Sequence, residues 1–194
     1  MSDTSTAGAR ARLLDVAGRL FYAEGIHAVG VDRVVAVAEV AKATLYAHFD
    51  GKEALVAAYL SERSDEWQAC IDAALADAAG NPRLQMRRLF RFLGERVRAP
   101  DYRGCPFINA AAEYPGPGRV AEEIRRHRQR VRAVFAGIVR EEGLEPGERV
   151  TEALIVLWDG AMVSAQLDVR PEAAEDALRA AERILADRSG AALS

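Results

Sequence analysis

The chain has 194 residues, 50% hydrophobic and 28% charged, with a formal net charge of −3, the balance of an ordinary soluble globular protein. No uncharged apolar run approaches the ~20 residues that span a bilayer, and the first ten residues hold no apolar stretch, so a cytoplasmic protein is expected rather than a membrane or secreted one. The two cysteines, Cys70 and Cys105, have no metal-type spacing, which excludes a disulfide framework and a structural zinc site.

The small net charge hides an asymmetry. Residues 1–82 carry 7 basic and 12 acidic groups, residues 83–140 carry 14 and 5, and residues 141–194 carry 5 and 12. A whole-chain basic signature for nucleic acid is absent, so any DNA contact has to rest on locally placed charge. Only two of the 26 basic residues are lysine, Lys42 and Lys52, ten apart in one short segment.

Every segment reads as helix. Leu13, Ala17, Leu20 and Phe21 share one helical face over Ala7–Glu24, with Thr4, Ser5 and Thr6 as N-cap candidates and Gly25 as the stop. Val31, Val34, Val35 and Ala38 mark a short second helix, and Ala41–Phe49 a third with Leu45 and Phe49 inward. From Lys52 to Ala79 a long helix carries a stripe through Val56, Leu60, Trp67, Cys70, Ile71, Ala74 and Ala78, closed by Asn81-Pro82. Residues 83–99 bury Met86, Leu89, Phe90, Leu93 and Val97, and Pro106 opens a short helix ending near Tyr114. After a Pro/Gly loop, Val120, Ile124, His127, Val131, Val134 and Ile138 step by 4, 3, 4, 3 and 4, a heptad-like seam bounded by Gly143 and Pro146-Gly147. Residues Glu148–Asp168 are apolar almost all round, and a last helix runs from Pro171 to about Arg188.

The segment 26–56 is the most informative. Two short amphipathic helices joined by the tight turn Ala38-Glu39-Val40-Ala41 form a helix-turn-helix arrangement. In such a unit the first helix packs behind and the second enters the DNA major groove. With Leu45 and Phe49 inward, Ala43, Thr44, Tyr46 and Ala47 point outward or sideways, and their small size lets the backbone approach DNA. Lys42 and Lys52 are placed to meet phosphates, as are free N–H groups at helix N-termini; Arg33 on the preceding helix is a further phosphate candidate.

Here the segment Val40-Ala41-Lys42-Ala43-Thr44-Leu45-Tyr46-Ala47-His48-Phe49-Asp50-Gly51-Lys52-Glu53-Ala54-Leu55 resembles the signature of the tetracycline-repressor-like (TetR) regulators. The likeness spans roughly residues 10–58 and rests on Leu-Tyr-x-His-Phe-x-x-Lys-x-x-Leu. It implies an all-α protein of about nine helices: an N-terminal three-helix DNA-binding domain (residues 1–52) and a larger C-terminal bundle for ligand binding and dimerisation (residues 53–194). By the same resemblance Lys42, Ala43, Thr44, Tyr46 and His48 fall where such proteins touch DNA, and Lys52 where a lysine meets the backbone phosphate. The chain departs from the pattern at Glu39, where the turn glycine stands, at Ala41, where a serine caps the reading helix, and at Gly30, where a hydroxyl precedes the second helix. These changes remove a cap worth ~1 kcal/mol and one or two phosphate contacts.

A helix as apolar as 148–168 needs a cover, so a homodimer is expected through Leu157, Gly160, Ala161 and Ser164, with Ala177, Ala180 and Ile184 of the last helix. A symmetric pair reads a palindromic site in double-stranded DNA. A small apolar or aromatic effector would sit among Trp67, Phe90, Leu93, Phe107, Ile108, Ala111, Tyr114, Phe135, Trp158 and Met162, unless these residues are simply core. Arg10 and Arg12 read either as a minor-groove arm or as a tail. The run Arg125-Arg126-His127-Arg128-Gln129-Arg130 reads as a solvated helix paired with the acidic C-terminal helices; His127 is a core histidine or a ligand or pH-sensitive group. Cys105, beside Arg103 at a helix start, is a buried apolar residue or a thiol sensor, while Cys70 reads as core. Gly116-Pro117-Gly118-Arg119-Val120-Ala121 matches the loose dinucleotide pattern without the strand it needs, so it reads as a loop. No P-loop, nucleophile elbow or H-x-x-x-H motif occurs, so neither an enzyme nor a cofactor is expected. The competing reading is a helical interaction module whose DNA binding is impaired by Glu39 and Ala41.

Overall fold

The structure is a computed structural model that describes residues 3–145 and 147–186, with side chains from residue 8 onward. Among these residues the order is α1 (Asp3–Glu24), α2 (Val31–Val37), α3 (Lys42–His48), α4 (Lys52–Leu75), α5 (Pro82–Val97), α6 (Pro106–Glu113), α7 (Arg119–Glu142), α8 (Gly147–Leu167) and α9 (Ala173–Ala186), with no strand. The expected all-α architecture is what the chain adopts. Three boundaries differ. The helical backbone of α1 begins at Asp3, so Thr4–Thr6 lie inside it instead of capping it. The fourth helix stops at Leu75, and Asn81 belongs to the next helix as its N-cap, its side chain accepting from Leu84 N at 3.0 Å with Pro82 in the first turn. The last helix starts at Ala173, two residues past Pro171. Pro146 and Arg188 fall outside the described residues.

The chain forms two compact units that are not contiguous in sequence: Met1–Asp65 with Pro106–Arg126, and Glu66–Cys105 with His127–Ser194. In the first, Leu13, Ala17, Phe21, Val34, Leu45, Phe49, Leu55, Tyr59 and Leu60 are buried together. Gly18 lets the Tyr59 ring pack closely there: a Cβ would lie 3.1 Å from that ring, which packs edge-on against Phe21.

The second unit is built on α5, α8 and α9. Trp158 is its centre, 3% exposed, with the Phe90 and Phe135 rings each 5.7 Å away and edge-on. Leu93, Val131, Ile138, Leu154, Ala161, Ala177 and Leu185 complete the core. Of the arginine run on α7, Arg128 pairs with α8 as the sequence suggested, meeting Asp159 at 2.8 Å, while Arg126 pairs with Glu123 of its own helix; Arg132, beyond the run, meets Glu152 of α8. Arg83 and Arg87 of α5 and Arg98 at its C-cap meet Glu142, Glu182 and Glu175. Cys70 corrects the sequence reading: it is exposed, because Ile71 takes the inward position and its neighbour is turned by 100° off the buried stripe. Cys105 is half-buried just ahead of α6.

His127 is 5% exposed, with its ring 5.1 Å from Trp67 and edge-on. Burial, reinforced by Arg128 and Arg130, pushes its pKa down to about 4. The folded imidazole is neutral, while the unfolded one protonates near pH 6.5, so the unfolded state binds more protons between those values. Stability is fully present above about pH 6.5 and falls as the pH drops toward 4, by ~3 kcal/mol at most. Urea midpoints across that window should therefore fall steeply for the wild type and less steeply for His127→Gln.

Candidate nucleic-acid interface

The helix-turn-helix is assembled from local rules. Helix α2 starts after Gly30, which has the β-region backbone of an N-cap (φ −77°, ψ 156°) but no side chain to cap with. Its end is a Schellman motif: Val40 N donates to Val35 O at 3.1 Å and Glu39 N to Ala36 O at 3.3 Å. The motif needs a left-handed residue, and Glu39 takes that place with φ 53°, where glycine is unstrained. Ala41 then holds the N-cap of α3 with β-region backbone and no side-chain cap bond. Ala41→Ser should raise stability by ~1 kcal/mol by supplying the missing acceptor, and Gly30→Ser by a few tenths of that, since glycine is itself tolerated at an N-cap. A Cβ at Gly30 meets nothing within 4 Å, so that substitution brings no clash. Calorimetry of the double variant should show a melting temperature several degrees higher; an unchanged one contradicts the capping geometry.

Leu45 anchors α3 at 0% exposure and Phe49 closes it, donating its N–H to Leu45 O. Lys42, Ala43, Tyr46 and Ala47 face solvent, with Tyr46 53% exposed, while Thr44 is half-buried at the side of the same face. His48 differs from the expectation of a fully presented contact: it is half-buried, and its Nε2 is buried without a hydrogen-bond partner, the ring lying against Phe49.

Each candidate phosphate-binding cation is held by an internal partner. Lys42 Nζ lies 2.6 Å from Asp32 Oδ1, and this bond and charge hold the ammonium above the usual lysine range. Arg33 grips both carboxylate oxygens of Glu24, one at 2.8 Å. Lys52 reaches the His27 carbonyl at 3.5 Å, and burial pulls its pKa down against the opposing pull of Glu113. Arg10 and Arg12 stand on helical backbone, so neither forms an extended arm; the Arg10 guanidinium lies over the Phe49 ring at 5.4 Å.

Helix α6 and the first turns of α7 belong to the same unit, which the sequence did not disclose. The Glu113 carboxylate accepts from Ile26 N at 2.8 Å and from His27 N, and His27 Nδ1 lies 3.4 Å from it. Tyr114 stacks on the His27 ring at 5.2 Å, and Arg119 N donates to Glu53 at 3.0 Å. Tyr114, read from sequence as a pocket wall, is thus a partner of the α1–α2 turn. The ten proposed pocket residues divide between the units: Phe107, Ile108, Ala111 and Tyr114 lie in the first, the other six in the second. Within the second unit Phe90, Leu93, Phe135 and Trp158 fill one another's space as core, leaving Trp67 and Met162 half-buried at its edge.

The proposed interface residues also divide. Ala161 and Ala177 are buried inside the protomer. Leu157, Ser164, Ala180 and Ile184 are half-buried and Gly160 is exposed. The apolar stripe that α8 leaves in solvent runs through Val156 (68% exposed), Gly160, Val163 and Leu167.

A small, solvent-facing second helix braced on a first by a tight turn, joined to a larger helical unit, defines a DNA-binding transcription regulator. The profile for "Bacterial regulatory proteins, tetR family" matches residues 13–59, and that for "Tetracyclin repressor-like, C-terminal domain" matches residues 80–181. The chain belongs to the TetR family. A TetR-family transcriptional regulator from Streptomyces coelicolor is 40% identical, with a TM-score of 0.87 over 94% of this chain and 97% of its own. A TetR-type regulator from Streptomyces avermitilis is 26% identical, with a TM-score of 0.78 over 90% of this chain and 98% of its own. The HTH-type transcriptional repressor DhaR of Mycobacterium sp. strain GP1 is 28% identical over 169 residues, 82% of this chain and 83% of its own.

Proposed function

We propose that the chain is a cytoplasmic repressor that binds a palindromic operator as a homodimer and is released by a small apolar or aromatic effector. The observation that carries this reading is the face of α3: Tyr46 stands 53% exposed beside Ala43 and Ala47 while Leu45 is wholly inward. Ala43, Thr44 and Tyr46 meet base edges, Lys42, Lys52 and Arg33 meet the phosphate backbone, and His48 lies at the edge of the contact. Residues 1–52 do the reading, and residues 53–194 carry effector binding and self-association. The exposed α8 stripe supports the dimer, and the name of DhaR supports repression. Trp67 and Met162, at the edge of the aromatic core, are the members of the pocket set an effector reaches first. Release needs coupling of about 1.4 kcal/mol for each tenfold loss of affinity.

A gel shift on the DNA upstream of the protein's own gene tests the reading. Tyr46→Ala and Lys52→Ala should each weaken the shift, by ~1–3 kcal/mol if Tyr46 reads a base. Unchanged shifts in both variants remove α3 as the reading helix, and a wild type that shifts no DNA favours the interaction module.

A further inference from the structure

The unit that reads DNA is not basic. Residues 1–65 and 106–126 together carry 10 basic and 12 acidic groups, so bulk attraction to the duplex is absent and the placement of individual charges decides affinity. We propose that Asp32 sets the affinity of this surface by competing with DNA phosphate for the Lys42 ammonium. The inference rests on the docking of α3 against duplex DNA.

Lys42 is the first residue of α3, at the end of the helix that approaches the groove, and Asp32 is the second residue of α2. Their ion pair closes at 2.6 Å, yet both side chains are largely in water, 54% and 80% exposed. A pair so exposed adds nothing to packing and little to stability, so the fold has no need of it. It does have a consequence for binding. A lysine that moves onto a phosphate displaces a condensed counterion, and this release drives the electrostatic part of association. Lys42 can do so only by leaving Asp32, whose bared carboxylate then stands at the phosphate and recruits a cation. Uptake of one ion cancels release of the other, and the lysine contributes almost nothing net.

Two features separate this role from alternatives. Asp32 sits in the first turn of α2, where a carboxylate favours the helix N-terminus, but that effect acts on folding and is read by thermal unfolding. Glu39, in the turn between the helices, is an exposed acid that makes no ion pair among the described residues, so Glu39→Gln removes the same charge without touching Lys42.

The test measures binding of the full chain to a fluorescent random-sequence duplex across a potassium chloride series, for wild type, Asp32→Asn, Lys42→Ala, the double variant and Glu39→Gln. Asp32→Asn should steepen the slope of log K against log salt by about 0.9, which makes binding roughly eightfold tighter near ~0.1 M salt. The double variant should be no steeper than Lys42→Ala alone, and Glu39→Gln should change the slope by less than half as much. Asp32→Ser, also suited to a first helical turn, replaces the asparagine variant should that one unfold. The proposal is overturned if wild type binds and Asp32→Asn leaves the slope unchanged, if the gain persists without Lys42, or if Glu39→Gln matches it. Absence of binding by every variant instead overturns the docking of α3, and the inference with it.

Discussion

Val156→Glu is expected to turn the protein into a monomer at micromolar concentration and to reduce operator affinity by two or more orders of magnitude. Val156 is 68% exposed on α8, and Gly160, Val163 and Leu167 continue its stripe at steps of four, three and four. Such spacing makes a continuous seam for a second helix, and the glycine lets the two backbones approach. In a two-fold interface each substitution appears twice, so two carboxylates are buried for one mutation. The effective penalty for burying an unpaired ion is several kcal/mol, enough to offset a typical dimer contact. A monomer then holds one half-site alone and loses the ~10²–10⁴ gained from tethering two. The side chain lies in water in the single protomer, so thermal unfolding at high dilution should barely change. Light scattering decides the matter, and a Val156→Glu protein that remains dimeric places the interface elsewhere.

Trp158→Ala should be the most damaging single truncation in the second unit. The indole is 3% exposed and takes two edge-on rings, Phe90 and Phe135, each at 5.7 Å. Truncating a buried tryptophan costs about 3–5 kcal/mol, and each lost aromatic pair adds ~0.5–1.5 kcal/mol. Against a total stability of ~5–15 kcal/mol, the variant should be partly unfolded at ordinary temperature. The chain has two tryptophans, so the variant retains Trp67 as a single fluorescent reporter of urea unfolding. A loss below about 1 kcal/mol would mean the three rings enclose a hollow rather than pack. That outcome would revive the sequence-based view of Phe90, Phe135 and Trp158 as pocket walls.

The helices and the solvent-facing side of α3 were legible in the linear sequence, and the reason is local. Apolar spacing of three and four residues sets which side of a helix is buried, so Leu45 and Phe49 turn inward and Tyr46 outward whatever else the chain does. The departures at Gly30, Glu39 and Ala41 were visible against the family pattern, and the structure gives them local consequences: two helix starts without a side-chain cap and a left-handed glutamate. Other features needed the folded chain. Glu113 closes on backbone groups 86 and 87 residues away, and no pattern in either segment marks the contact. Helix α8 is apolar on nearly every side, so its own sequence names no inward face; packing against α5 and α9 buries Ala161 and leaves Val156 and Leu167 in solvent. Asp32 and Lys42 lie on different helices, and only the angle set by the turn brings opposite charges within reach. Periodicity settles what each helix hides, while the pairing of distant groups depends on how whole helices pack, which no single segment encodes.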